Sequence, residues 1–155
     1  MDGTNADNAE GRAGDLLIVQ LWTTDPNTFL DAWRQPTPPT LRTTSRAARN
    51  QPIQQFILYS NCATDAAGNC HLTARAIITS PDGTPYGEPI VFEALPASPP
   101  APRNRLGLAP SSIGFVIEDG EQLGRYRIDL SVTDTNAGVT ATSRVHLEVV
   151  EAAAQ

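Results

Sequence analysis

The sequence predicts an all-β fold, a two-sheet antiparallel sandwich of seven or eight strands with at most one short helix. Two observations carry that expectation. Between Gly124 and Asp134, Tyr126, Ile128, Leu130 and Val132 alternate with Arg125, Arg127, Asp129 and Ser131, the period-two pattern of a half-buried strand. Several further segments of similar length are separated by Gly, Pro, Asn and Asp at intervals typical of sandwiches.

The 155 residues suit one domain, drawn here as 15–150 with a disordered or extended amino-terminal arm over 1–14 and a short tail over 151–155. The arm is polar and has little apolar surface to offset ordering entropy. DLLIVQLW follows, apolar on both faces. TTDPNTFLDAWRQP then places Asp25 before Pro26, with Phe29, Leu30 and Trp33 at helical spacing, so a two-turn helix or an irregular loop pinned by aromatics fits. PTPPT reads as an extended crossing, TLRTTSRAA as a polar edge strand and PIQQFILYS as a further strand.

HLTARAIIT alternates cleanly, and Ser80-Pro81-Asp82-Gly83 is a turn because proline presets φ at its second position and glycine occupies its fourth. GEPIVFEAL is a strand whose Pro89 places its start near an edge. The proline-rich segment 96–110 is expected to be an unpaired crossing loop. SSIGFVIEDG returns to strand, and the chain closes on a tight turn at Thr135–Gly138 and the alternating Val145, Leu147 and Val149.

Cys62 and Cys70 flank a turn rich in Gly, Asn and Asp. A bond between them closes a loop of about nine residues, which a chain-entropy treatment values at roughly 2.6 kcal/mol. Paired cysteines around a turn in a small β-rich chain suit an oxidising compartment, so a periplasmic or extracellular location is expected, with a signal peptide already removed.

The formal charge is −6, the eleven basic residues are all arginine and they are scattered, so nucleic acid is not an expected partner. The absence of lysine excludes Schiff-base chemistry, a P-loop lysine and Ser-Lys dyads. No apolar run is long enough to span a membrane as a helix.

LGRYRIDLSV, followed by a hairpin and a final alternating strand, resembles the F and G strands of an immunoglobulin-like or fibronectin-like domain over about residues 53–150. The Ser-Pro-Asp-Gly-Thr turn before a strand is similar to those of bacterial extracytoplasmic sandwiches. The resemblance implies that Tyr126 is the tyrosine corner, with its hydroxyl bonded to backbone upstream, after the structural Gly124 that leads into the strand. The cross-sheet disulfide of antibody domains cannot form, since both cysteines flank one loop.

Metal and catalytic sites are not expected. His71 and His146 lie among the polar positions of different strands, and Asp65 with Asn69, or Glu118 with Asp119 and Glu121, lack the alternating oxygen ladder of a calcium loop. No nucleophile elbow or paired-histidine zinc helix occurs. No cofactor is expected, and the chain is read as a non-enzyme.

Trp22, Phe29 and Trp33 form the one aromatic concentration, read either as a plug for one end of the core or as an exposed contact for a protein partner or a glycan ring. The resulting functional expectation is an exported immunoglobulin-like domain for protein recognition, or an accessory subunit of a cell-envelope or surface assembly, with the arm and the 96–110 loop as contacts. A carbohydrate-binding module and a structural filament subunit are the alternatives.

Overall fold

The computed structural model describes residues 9–34 and 46–152. The predicted crossing at 36–40, most of the polar strand that follows it, residues 1–8 of the arm and the end of the tail lie outside these. Among the described residues are ten strands and one helix: β1 Glu10–Ala13, β2 Leu16–Thr23, α1 Pro26–Trp33, β3 Arg46–Ala48, β4 Ile53–Ser60, β5 Cys70–Thr79, β6 Ile90–Ser98, β7 Gly107–Leu108, β8 Ile113–Phe115, β9 Gly124–Asp134 and β10 Val139–Val150. One sheet runs β1-β2-β4, with the short β7 and β8 both paired to β4; the other runs β3-β10-β9-β5-β6. The all-β sandwich is therefore the observed fold, and β9 is the central strand of its sheet. The β3–β10 pair alone among these pairings is parallel.

Ten strands exceed the expected seven or eight because two segments, β1 and β7, pair that composition had left unpaired. Residues 10–13, assigned to the arm, form β1, antiparallel to β2. Gly11 allows this: a Cβ there would land on the Thr142 carbonyl of β10, so only a bare backbone lets β1 lie so close over the opposite sheet. The proline-rich stretch is likewise less irregular than expected. β6 continues through Pro96, which sits on a sheet edge and can lack an N–H without breaking a central ladder. β7 pairs with Leu58 and Tyr59, and Gly107 lies on the Tyr59 ring where a side chain would collide.

Residues facing inward from the two sheets form two apolar groups. Leu16, Ile18, Ile57, Leu72, Leu130 and Val132 belong to one; Trp22, Ile53, Ile78, Ile128, Val145 and Leu147 belong to the other. Between them lie three buried polar side chains. Gln20, Gln55 and Ser143 each sit in their strand between a residue of one group and a residue of the other. The Gln55 amide donates to Gln20 Oε1, and Gln20 Nε2 donates to the Ile128 carbonyl at 3.4 Å, so the glutamines link the two sheets, while Gln55 Oε1 and Ser143 Oγ have no partner among the described residues.

The Asp25 carboxylate caps α1 by accepting from the Thr28 N–H and hydroxyl, with Pro26 in the first turn. The helix lays Phe29 on Phe56 of β4, rings stacked 4.5 Å apart.

At the end where β9 begins, Gly124 takes φ 126° beside Pro81, a conformation that disfavours any side chain. The Tyr126 ring is buried and its hydroxyl donates to the Gln122 carbonyl at 2.7 Å. Tyr86 meets it edge-on at 5.6 Å and donates to Glu121 Oε1 at 3.1 Å. Burial, then the bond to Glu121 and the charge of that carboxylate, push the Tyr86 phenol up to about 12.

Candidate binding surface at the loop end

The two strands of the Tyr126 hairpin carry the chain to the opposite end of the sandwich, where four connections meet: the β1–β2 turn, the β4–β5 loop, the β6–β7 segment and the β9–β10 turn. The loop between β4 and β5 is closed by the Cys62–Cys70 disulfide, with Cα atoms 6.1 Å apart and both cysteines buried. Asp65 organises its tip by accepting from the Ala67 and Asn69 amides, the local chemistry of an Asx turn.

Asp134 fastens this loop to the β9–β10 turn. Only 1% exposed, its carboxylate accepts from the Ala63 N–H at 2.7 Å and from the Asn136 and Ala137 N–H groups of its own turn. Asn136 adds two bonds in the other direction, its side-chain amide donating to the Ala63 and Asn69 carbonyls at 2.9 and 3.0 Å. Thr135 donates from both backbone and hydroxyl to the His71 carbonyl.

The β6–β7 segment is held by the same means. Asn61 and Asn104, both at positive φ, bond reciprocally: the Asn104 N–H donates to Asn61 Oδ1 at 2.7 Å and the Asn61 amide donates to Asn104 Oδ1 at 3.2 Å. The Tyr59 hydroxyl accepts from the Ala101 N–H at 3.0 Å. These bonds run between distant parts of the chain, so they fix the loops relative to one another, not merely within themselves.

Together the loops enclose a cleft of about 280 Å³ whose polar lining comes from Asp15, Asn61, Arg103 and Asp134. Arg103 stands 3.6 Å from Asp15 at the exposed rim. Screening by water makes such a pair weak as a structural element, which leaves both groups available to a partner. The larger groove lined by Asn50, Ile53, Gln54 and Phe115 lies at the other end and opens broadly to solvent.

Of the two readings of the aromatic concentration, the core one describes Trp22 and Phe29. Both are buried, Trp22 against Phe115 at 5.3 Å in an edge arrangement and Phe29 on Phe56; Trp33 is half-buried on α1. Strand parity accounts for this: Trp22 falls on the inward face of β2, while the helix turns Phe29 down onto β4. Composition gave no such sign for the loop end. Its signal was the Asp-Thr-Asn-Ala-Gly turn, whose Asp and Asn read as local turn formers and in fact bond to a loop about 70 residues away. His71 pairs with Glu93 at 2.7 Å. Among the described residues no cluster of three His, Cys, Asp or Glu side chains is arranged to hold a metal, and no helix is long and apolar enough to cross a membrane.

No protein-family model and no curated protein matches the chain. Among solved structures, the CARDB domain of a Pyrococcus furiosus protein, determined in complex with di-metal ions, is similar over 70% of this chain and 86% of that one, at 16% identity and a TM-score of 0.42. A Niemann-Pick type C2 protein from the Japanese carpenter ant is similar over 94% of this chain and 97% of its own, at 9% identity and a TM-score of 0.43.

Proposed function

We propose that this chain is a non-enzymatic recognition domain of an exported bacterial assembly, and that it engages a protein partner through the loop end. The observation that carries this reading is the locking of three of the four loops, β4–β5, β6–β7 and β9–β10, by Asp134, Asn136, Asn61 and Tyr59 around a polar cleft. Loops fixed before binding lose less entropy on binding, which is how a modest surface reaches useful affinity. The disulfide at the same end supports an oxidising compartment.

The cleft's chemistry supports binding over catalysis. The Asp134 oxygens are committed to three backbone donors, and the other lining carboxylate, Asp15, has its side chain 84% exposed. A general acid or base needs a free carboxyl oxygen facing a substrate held out of bulk water. The glycan reading relied on a platform of exposed aromatics, and Trp22 and Phe29 are in the interior.

Crosslinking in the native cell followed by mass spectrometry tests the assignment. A captured protein that is retained by the unaltered chain and lost on Arg103→Glu supports it. Capture that is indifferent to charge reversal at both Arg103 and Asp15 would sink it.

A further inference from the structure

A second surface lies away from the loops. β6 is the edge of its sheet, with β5 as its one partner among the described residues. Three of the five large apolar side chains exposed among the described residues, Ile77, Ile90 and Val91, lie on β5 and β6, and Val91 is 73% exposed. An edge strand that combines free backbone groups with exposed apolar side chains is a template for another strand.

We propose that this edge pairs with the same edge of a second copy of the chain, antiparallel and centred on Phe92. This proposal goes beyond the loop-end reading and does not depend on it. The regular part of β6 runs from Ile90, opposite Ala76, to Glu93, opposite Thr73, and ends at an irregularity before Leu95. Pro89 bounds it on the other side, since proline has no N–H to offer an added strand. The usable window is therefore 90–94, and Phe92 is its midpoint.

A two-fold axis through Phe92 and perpendicular to the sheet sets Ile90 opposite Ala94 of the second copy, Val91 opposite Glu93, and Phe92 opposite itself. On the outer face, Val91 is flanked on β5 by its register partner Arg75, which is exposed and in no ion pair among the described residues. With neighbouring strands about 4.8 Å apart, Arg75 and Glu93 of the second copy are separated by about 10 Å between Cβ atoms, a gap their extended side chains span across Val91. The symmetry makes the pair twice. Glu93 can accept Arg75 while keeping His71, because a carboxylate has two oxygens and several lone pairs.

Other face-preserving registers are worse. Centring on Glu93 sets two like charges directly opposite each other, and centring on Val91 places Pro89 opposite Glu93. Five paired residues bury less surface than stable complexes of standard size, so the dimer belongs to the weak, concentration-dependent class.

Sedimentation velocity of the full 155-residue chain from about 5 to about 500 μM, a span that brackets weak association, tests the proposal. The expected result is a reversible rise in sedimentation coefficient that Val91→Lys removes, with circular dichroism unchanged because Val91 is a surface residue. Arg75→Glu and Glu93→Arg should each weaken self-association about tenfold, since each turns two attractive pairs into two repulsive ones. An equimolar mixture of the two single variants should associate again, because in the mixed dimer both pairs are opposite in sign. A native chain that stays monomeric throughout, a mixture no better than its components, or a dimer indifferent to Val91→Lys each overturns it. Monomeric native chain that captures a different protein at this edge overturns it equally.

Discussion

The Asp134 carboxylate accepts the Ala63 amide hydrogen at 2.7 Å, joining the turn of the central hairpin to the disulfide loop 71 residues earlier in the chain. Because the same carboxylate also takes the Asn136 and Ala137 amides, its removal leaves three backbone donors without their partner. Asp134→Ala should lower stability by about 2–4 kcal/mol, read from urea midpoints, and Asp134→Asn by less because one oxygen is kept. Amide exchange at Ala63 should accelerate in the alanine variant. Unchanged exchange there would mean that the loop is held without the Asp134 carboxylate, by its disulfide and the Asn136 and Thr135 bonds.

The tyrosine pair at the opposite end gives a pH signature. Burial, followed by the Glu121 charge, raises the Tyr126 phenol, and Tyr86 is pushed up to about 12 for the causes given above. A phenol raised in the folded state keeps its proton longer than the unfolded chain does. Its contribution to stability is full below the ordinary tyrosine value near pH 10 and is lost as pH rises from there through about 12. Absorbance near 295 nm should show Tyr86 ionising late, and Tyr86→Phe should flatten the alkaline loss of stability. At neutral pH, Tyr126→Phe should cost about 1 kcal/mol for the bond to Gln122.

The Gln55 amide donates to Gln20 Oε1 inside the core, so the effects of the two side chains should not add. Gln20→Leu or Gln55→Leu alone strands a buried amide and should cost about 1–3 kcal/mol. The double substitution removes both polar groups, and a double-mutant cycle should show a coupling above about 1 kcal/mol. Additive losses would show that the two side chains do not share a bond.

Gly11→Ala tests whether β1 belongs to the sandwich. With the Thr142 carbonyl where the new Cβ must go, the strand or its neighbour has to shift, at a cost of about 1–3 kcal/mol. Faster amide exchange at residues 10–13 is the expected readout. Protection equal to that of the unaltered chain would mean that the close approach is relaxed at no cost.

What was legible in the sequence follows from how far each signal reaches. β9 and β10 each have one face in the core and one in water, so their alternation names the inward residues directly. β4 is covered on both faces, Phe29 stacking on its outer Phe56, and its continuous apolar run told of burial without saying which residue faced where. β1 was hidden because its pairing depends on what Gly11 lacks, and β7 because it is two residues of a proline-rich stretch. Tyr126 could be placed by resemblance, since its partner Gln122 lies four residues away. The loop end could not, because Asp134, Asn136 and Asn61 are ordinary turn residues whose partners lie 43 to 73 residues distant and converge only when the sheets pack.

Recognition at the locked loop end is open to a direct test in the native cell. A photoreactive amino acid is placed at Ala137, an exposed residue of the cleft that leaves Arg103 and Asp15 in place, with Leu123 at the opposite end of β9 as the reference site. The expected result is a discrete protein adduct at position 137 that is absent from position 123 and lost when Asp134→Ala loosens the loops. Adducts at 123 with none at 137, or equal labelling at both, would contradict recognition at this end.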